Sequence, residues 1–436
     1  MSRDSSRRDF LKTTAVTGSA LAAGWSAAAN VHAGGTGQVI RVGLIGCGGR
    51  GTGAAEQCLN ADSNVRLVAV GDAFRDRANA CLQTLRNNNA IAGRVNVDNE
   101  LIFTGLDAYR QVIPACDLVI LATPPGFRPI HIAAAVAARK HIFTEKPVAV
   151  DGPGVRACLR AYLDAKQHNL AIVAGTQRRY QTGYRESMRR IHDGAIGQIT
   201  SARCYWNQGG LWHADRAGRG DVEWQIRNWL YFCWLSGDHI CEQHVHNIDV
   251  VNWALSPDGT STVPLRCTAL GGRAARTQPH FGHIFDHFAC DFEYPGGVHV
   301  MSQCRQIDGC PGKITESVSG TRGTWGSPSR EEDRPGYVMT GPNAWAFQAR
   351  NDNQPYQDEH IQLIRSIREG RPINDLKNVA QSTLTAIMGR MAAYSGQVVT
   401  SHQALNSRLS LMPANLSFEM KLPEPAVAVP GHTRAF

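Results

Sequence analysis

Beyond residue 33 the chain has no stretch near the roughly 18 consecutive apolar residues of a membrane-spanning helix. No CxxC pair occurs among its 12 cysteines, so the usual zinc-ribbon and thiol-redox spacings are missing. No long basic run occurs either. The formal charge of +8 is scattered along the sequence, which argues against a nucleic-acid stripe and leaves room for an acidic or phosphorylated substrate. Internal repeats are absent. Aromatics are sparse at 7%, yet five of the nine tryptophans fall between Trp206 and Trp234.

Residues 1–33 read as a targeting segment rather than as fold. Ser6-Arg7-Arg8-Asp9-Phe10-Leu11-Lys12 has the form of a twin-arginine export signal. An alanine-rich apolar stretch follows, and Val31-His32-Ala33 fits a small-residue cleavage site. The expected destination is periplasmic or otherwise extracytoplasmic, reached through the twin-arginine machinery. That route exports folded proteins, so a chain that must acquire a cytoplasmic dinucleotide has reason to use it. Folding in the reducing cytoplasm also makes the scattered cysteines free, buried thiols.

What the chain does have is concentrated at residues 41–72. An apolar run, Val42–Ile45, enters Gly46-Cys47-Gly48-Gly49-Arg50-Gly51, then a helix-prone segment, then Val65–Val70 and Gly71-Asp72. Gly46 permits a tight turn, Gly48 lets the backbone approach a pyrophosphate, and Gly51 lets the helix pack on the strand. The helix N-terminus offers free N–H groups to phosphate. Asp72, about 20 residues further on, is placed to hold a ribose 2′-hydroxyl. A carboxylate there favours NAD; Arg75 and Arg77 close behind keep NADP open.

Strand candidates Val42–Ile45, Val65–Val70, Leu118–Ala122, Ile142–Thr144 and Ala171–Ala174 alternate with helical segments, which implies a parallel sheet covered on both faces. Ligands bind such sheets at the carboxyl ends of the strands. Arg50 in the glycine turn, Thr123-Pro124 and Glu145-Lys146 all fall there. After about Tyr180 the pattern becomes α+β, with strands expected near Ile199–Tyr205, Leu265–Gly271, His287–Tyr294 and Val298–Gln303. Residues 325–358 read as long loops and 359–398 as helical. The organisation expected is a signal at 1–33, a dinucleotide-binding domain at 38–178, an α+β substrate and oligomerisation domain at 179–421, and an extended tail at 422–436.

Glu145-Lys146-Pro147, together with Glu242-Gln243-His244-Val245-His246-Asn247-Ile248-Asp249, resembles the glucose–fructose oxidoreductase, inositol dehydrogenase and rhizopine-catabolism family, Gfo/Idh/MocA. The resemblance implies an α/β chain, a Rossmann domain followed by a domain with an open, mainly antiparallel sheet. That sheet often makes homodimers or homotetramers. It also implies that Lys146 and His246 face the nicotinamide. The family's aspartate falls on Glu242 and its glycine on His244, both departures that bear on the substrate.

Glu242, His246 and Asp249 are spaced i, i+4, i+7, which on one helix places them on a shared face. An acid beside the imidazole would fix its tautomer and raise its pKa. His246 could then accept a hydroxyl proton while Lys146 steadies the charge on the same oxygen. A packing role satisfied by Asp249 is the plain alternative for this histidine. His239, Cys241, Glu242, His244 and His246 suit zinc by type, but not by helical spacing, so no metal is expected. Trp206 and Trp212 flank Asn207-Gln208-Gly209-Gly210, and with His213 they suit a carbohydrate face. Trp229 and Trp234 read as core. Tyr180 could reach the interdomain cleft or serve packing.

Three functions remain open on these residues. One is an exported NAD(P)-dependent oxidoreductase acting on a sugar, polyol or glycoside with its cofactor retained. Another, implied by superfamily members that are α-N-acetylgalactosaminidases, is a glycosidase working by transient C3 oxidation and elimination. The last is a sugar-binding protein without catalysis.

Overall fold

The computed structural model describes residues 37–256 and 258–435. The export signal read at 1–33 lies outside the described residues. The first sheet is built from β1 (Ile40–Ile45), β2 (Val65–Asp72), β3 (Ile102–Thr104), β4 (Leu118–Leu121), β5 (His141–Thr144) and β6 (Ile172–Ala174). Its helices are α1 (Gly49–Ala61), α2 (Arg75–Arg86), α3 (Tyr109–Ala115), α4 (Arg128–Ala137) and α5 (Gly152–Gln167). The strands are parallel, in the order β3-β2-β1-β4-β5-β6. All four residues of β4, an unbroken apolar run, are buried, as are all four of β5, as strands covered on both faces must be. The order reverses between β1 and β4, and the crevice at that switch point is where such sheets bind ligands.

The second unit opens with α6 (Thr182–His192), β7 (Ile199–Gln208), α7 (Asp221–Arg227), α8 (Cys233–Ser236), α9 (His239–Glu242) and α10 (Val245–Ala254). Strands β8 (Arg266–Gly272), β9 (His287–Tyr294), β10 (Val298–Gln306), β11 (Lys313–Gly320) and β12 (Gly323–Gly326) follow. The chain continues through β13 (Gly336–Met339), β14 (Trp345–Gln348), α11 (Pro355–Arg368), α12 (Leu376–Ser395), β15 (Val399–Thr400) and α13 (Ser401–Asn406). Nine strands form one sheet, β14-β13-β12-β11-β7-β10-β9-β8-β15. Every pairing in it is antiparallel except β7 with β10. On β9 the alternate residues Phe288, Cys290, Phe292 and Tyr294 are buried, the period of a sheet with one covered face. Helix α12 packs against β8 and β9. The other face is open, with Leu270 at 78% and Met301 at 44% exposure.

Three sequence expectations need correction. Residues 325–358 are not all loop, because β13 and β14 pair there, with Tyr337 and Met339 buried. Short strands among prolines and glycines show little periodicity, and here they pair as neighbours, β12 with β13 and β13 with β14. The helix expected through Glu242 and Asp249 is broken between α9 and α10. Finally, the division near residue 178 is one of sequence rather than of packing. Helix α11 returns to the first unit, where Leu363, Ile364 and Ile367 join its core beside Leu44 and Leu67.

A third apolar cluster joins α7, α8 and the C-terminal stretch Leu411–Leu422 to Phe74, Leu106 and Phe127 of the first unit. It roofs one side of the switch-point crevice. The 12 cysteines are all free, with Cys310 exposed and the others buried.

Candidate active site

The glycine turn has the geometry its residues require. Gly46 has φ +95°, a left-handed value that suits glycine. A side chain on Gly51 would overlap the Gly46 carbonyl, so the helix could not seat on the strand. Side chains on Gly48 and Gly49 would instead meet open space. Helix α1 has no side-chain cap and no acid in its first turn, so its leading N–H groups are unclaimed by the chain, a fit for a pyrophosphate. Asp72 ends β2. Its carboxylate accepts from the Cys47 amide at 2.7 Å and the Phe74 amide at 2.9 Å. Burial nonetheless pushes its carboxyl above the ordinary range.

These residues line a cleft of about 490 Å³ together with Arg50, Thr123 and Pro124. Arg77 lines it beside Asp72. The opposite wall comes from the second unit: Trp212, Ile226, Arg227 and Trp229. Arg227 lies 3.8 Å over the Phe74 ring and pairs with both oxygens of Asp76 at 3.0 Å. The residues present therefore fit a dinucleotide.

Arg50 ties this cleft to the second motif. Its Nε donates to Glu145 Oε1 at 2.5 Å, and its Nη2 stands 3.7 Å from Glu359. Glu145 also accepts the Lys146 amide at 3.3 Å. Lys146 Nζ then donates to the Glu242 carbonyl at 2.5 Å and lies 3.6 Å from the Glu242 carboxylate. The helix break explains this contact. His246 N–H bonds the Gln243 carbonyl rather than that of Glu242, so Glu242 has a free acceptor and the lysine takes it. His244 is fully buried at the break, its Nε2 2.7 Å from Ser302 Oγ.

His246 stacks on Trp206 at 5.7 Å between ring centroids. Arg178 lies on the Trp206 ring at 5.6 Å and pairs with buried Glu316. Burial, followed by the positive charges of Lys146, Arg178 and Arg50, pushes the His246 pKa well below its ordinary value. This reverses the sequence expectation. The acids expected to raise that pKa are engaged elsewhere: Glu242 with Lys146, and Asp249 with Arg179 at 2.7 and 3.0 Å and with Ser382 at 2.7 Å. Asp249, 1% exposed, is a clamp between helices rather than a partner of the imidazole.

The structure thus brings together Gly46, Gly48, Arg50, Gly51, Asp72, Thr123, Pro124 and Trp212 along one cleft. Glu145, Lys146, Glu242 and His246 form the adjoining polar group. Tyr180 does not reach it; it is 5% exposed and donates to Asp375 at 2.5 Å within the first unit's core. His213 stands apart too, stacked on His280 at 4.0 Å. Asn207 lines a separate opening at the end of β7. Trp234 is buried as expected, whereas Trp229 lines the cleft. Among the described residues no group of three or more His, Cys, Asp or Glu side chains is placed to hold a metal.

Sequence reading missed Arg178, Glu316, Arg227 and Glu359. Only Arg178 carried a local sign, the Arg178-Arg179 pair just beyond β6 at the ligand-binding end of the sheet. The acids are distant in sequence from the cations they meet.

Residues 40–176 match a family model described as GFO_IDH_MocA, oxidoreductase family, NAD-binding Rossmann fold. A 2,7-anhydro-N-acetylneuraminate hydratase of Escherichia coli K12 is 25% identical over 259 residues, 59% of this chain and 60% of that protein. An inositol 2-dehydrogenase of Rhizobium meliloti 1021 is 31% identical over 160 residues, 37% of this chain and 43% of that protein. The chain therefore spans about half the length of the curated relatives it matches. Among solved structures, levoglucosan dehydrogenase in complex with NADH and levoglucosan superposes with TM-score 0.62 at 20% identity, covering 84% of this chain and 100% of that one. At that identity the likeness is one of fold.

Proposed function

We propose, from the match of residues 40–176 to the Gfo/Idh/MocA oxidoreductase family, that this chain is a member of it that interconverts a hydroxyl and a ketone on a sugar, polyol or glycoside, with NAD as cofactor and NADP as the alternative. The observation that carries the reading is the contact chain from the dinucleotide cleft through Arg50 and Glu145 to Lys146, with His246 beside it.

The nicotinamide, when bound, supplies the hydride chemistry. The chain supplies the proton and charge management. Lys146 spends its contacts on Glu242 and keeps an N–H for the substrate oxygen, whose developing negative charge it stabilises. His246 is neutral, so a ring nitrogen is free to accept the hydroxyl hydrogen and orient that oxygen. In the reverse direction the lysine polarises the ketone. Arg50 and Glu145 position the lysine relative to the cleft.

Export by the twin-arginine route to the periplasm belongs to the same proposal. Outside the cytoplasm free NAD(P) is scarce, and the roof of the cleft supports a nucleotide retained between turnovers. A homodimer or homotetramer would use the open sheet face around Leu270 and Met301. The curated relative named as an anhydro-sugar hydratase favours a second reading. In it the same hydroxyl is oxidised only transiently, to allow elimination at the neighbouring carbon of a glycoside.

One assay separates the two. The protein, loaded with NAD, receives free sugars and then aryl glycosides while reduced-nicotinamide absorbance and aglycone are followed. A lasting band with a free sugar supports the oxidoreductase. Aglycone release with the cofactor unchanged at the end supports the elimination. Neither signal with any compound in a nucleotide-loaded protein overturns both.

A further inference from the structure

Besides the dinucleotide cleft, the fold carries an opening of about 860 Å³ at the end of β7 and the start of β11, a volume within the range of small-molecule sites. Strand alternation relates it to the catalytic group. Trp206 and Gln208 point to the same face of β7, and Ile314 is the register partner of Trp206 on β11. Trp206 stacks on His246, and its Nε1 donates to Gln208 Oε1 at 2.7 Å. Gln208 and Ile314 both line the opening, and Ile314 is 40% exposed. Gln208 therefore links the opening to the His246–Trp206 stack.

Its lining combines carboxamides with charged groups of both signs, Lys313, Arg330, Arg334, Glu331 and Asp333, which together can donate to and accept from the hydroxyls of a sugar. The buried Gln208 Nε2 has no hydrogen-bond partner among the described residues, and Asn207, on the opposite face of β7, also lines the opening. A carboxamide presents a donor and an acceptor together, which matches a hydroxyl that is both. Ile314 adds an apolar surface for the C–H face of a ring. Arg330 and Arg334 line the opening, and Arg334 donates to the Ser327 carbonyl. A site of such breadth is more than one reacting sugar beside His246 needs.

We infer that this opening is a subsite for the non-reacting sugar unit of a disaccharide or glycoside whose reacting unit sits at Lys146 and His246. The inference rests on the proposed oxidoreductase reading and narrows its substrate to linked sugars. Binding there would anchor the substrate by a part that does not react, lowering KM for the linked sugar.

The test uses the full chain with NAD and compares lactose, maltose and cellobiose with galactose and glucose. Two readouts are taken, kcat/KM from nicotinamide absorbance and direct binding from ligand-observed saturation-transfer NMR. At least one disaccharide should bind, or turn over, about tenfold better than its component monosaccharide. Gly312→Trp should abolish the advantage. Gly312 lines the opening and has an ordinary backbone, and a Cβ there meets only the Asn207 carbonyl, at 3.5 Å, so a side chain can start from this position, and an indole is chosen to obstruct the opening. Gln208→Leu, which removes the carboxamide at similar size, should weaken the advantage without filling the opening. Equal affinity for disaccharide and monosaccharide, no binding of any disaccharide, or an advantage that survives both substitutions overturns the inference. Monosaccharide turnover without disaccharide preference leaves the oxidoreductase reading standing. Failure to bind NAD defeats that reading, while the NMR result still judges the subsite.

Discussion

Replacing Lys146 with methionine tests the division of labour in the site. The ammonium lies 2.5 Å from the Glu242 carbonyl and 3.6 Å from its carboxylate, and both side chains are only 10% exposed. Two separable losses are expected. Stability falls because a largely buried carboxylate is left without its cation, at a cost of about 3 kcal/mol. Turnover falls because the donor to the substrate oxygen is gone, about 10²–10³ in kcat, or roughly 3–4 kcal/mol of transition-state stabilisation. The double variant Lys146→Met with Glu242→Leu removes both charges and should recover most of the stability but none of the rate. Thermal unfolding reads the first quantity and nicotinamide absorbance with a turned-over sugar reads the second. A folded Lys146→Met protein with kcat within about threefold of the parent would refute the role of the lysine, because losing a charged donor, about 1.5–3 kcal/mol, exceeds that margin.

Other consequences follow from named groups. His246 acts as a neutral ring and its pKa is held well below the ordinary 6.5, so kcat for hydroxyl oxidation should stay flat from pH 8 to pH 6.5 and fall only in more acidic solution. A half-maximal point at pH 6.5 or above would contradict this. Arg227→Ala removes the ring contact with Phe74 and the pair with Asp76, so nucleotide should leave about tenfold faster, as roughly 1.4 kcal/mol of roof contact is lost; displacement of bound NADH followed by fluorescence measures it. Burial raises the Asp238 pKa from 3.8 to about 6. The stability this neutral carboxyl contributes is fully present below pH 4 and lost as pH climbs through 6, up to about 3 kcal/mol. Asp238→Asn does not titrate, so urea unfolding should show its stability, relative to the parent, rising between pH 4 and pH 7.

The cofactor half of the molecule was legible because its requirements are local. A left-handed turn at Gly46 and close packing at Gly51 demand glycine wherever the rest of the chain goes. Strands β1, β2, β4 and β5 show as apolar runs for the same reason. Lys146 and His246 were legible as a pair of motifs meeting at one substrate oxygen, although the contact of the lysine with the Glu242 carbonyl was not. It depends on a helix break at Gln243-His244 that no capping or proline signal announces. The role of Asp249 was misread because its true partner, Arg179, lies 70 residues away. Tyr180 looked available for a ligand until its hydroxyl was placed on Asp375, 195 residues further along. Helix α11 reads as amphipathic, but nothing in its own sequence says that its apolar face returns to the first unit. Such long-range pairings are decided by packing, which periodicity does not encode.

The account stands or falls on a dinucleotide bound by the turn from Gly46 to Asp72. Calorimetric titration of the full chain with NAD measures this directly, alongside a Gly51→Leu variant whose side chain cannot fit beneath the Gly46 carbonyl. The account predicts one nucleotide per chain in the parent and at least a hundredfold weaker binding in the variant, or about 2.7 kcal/mol. No binding of NAD or NADP by the folded parent, or equal binding by the variant, would contradict it.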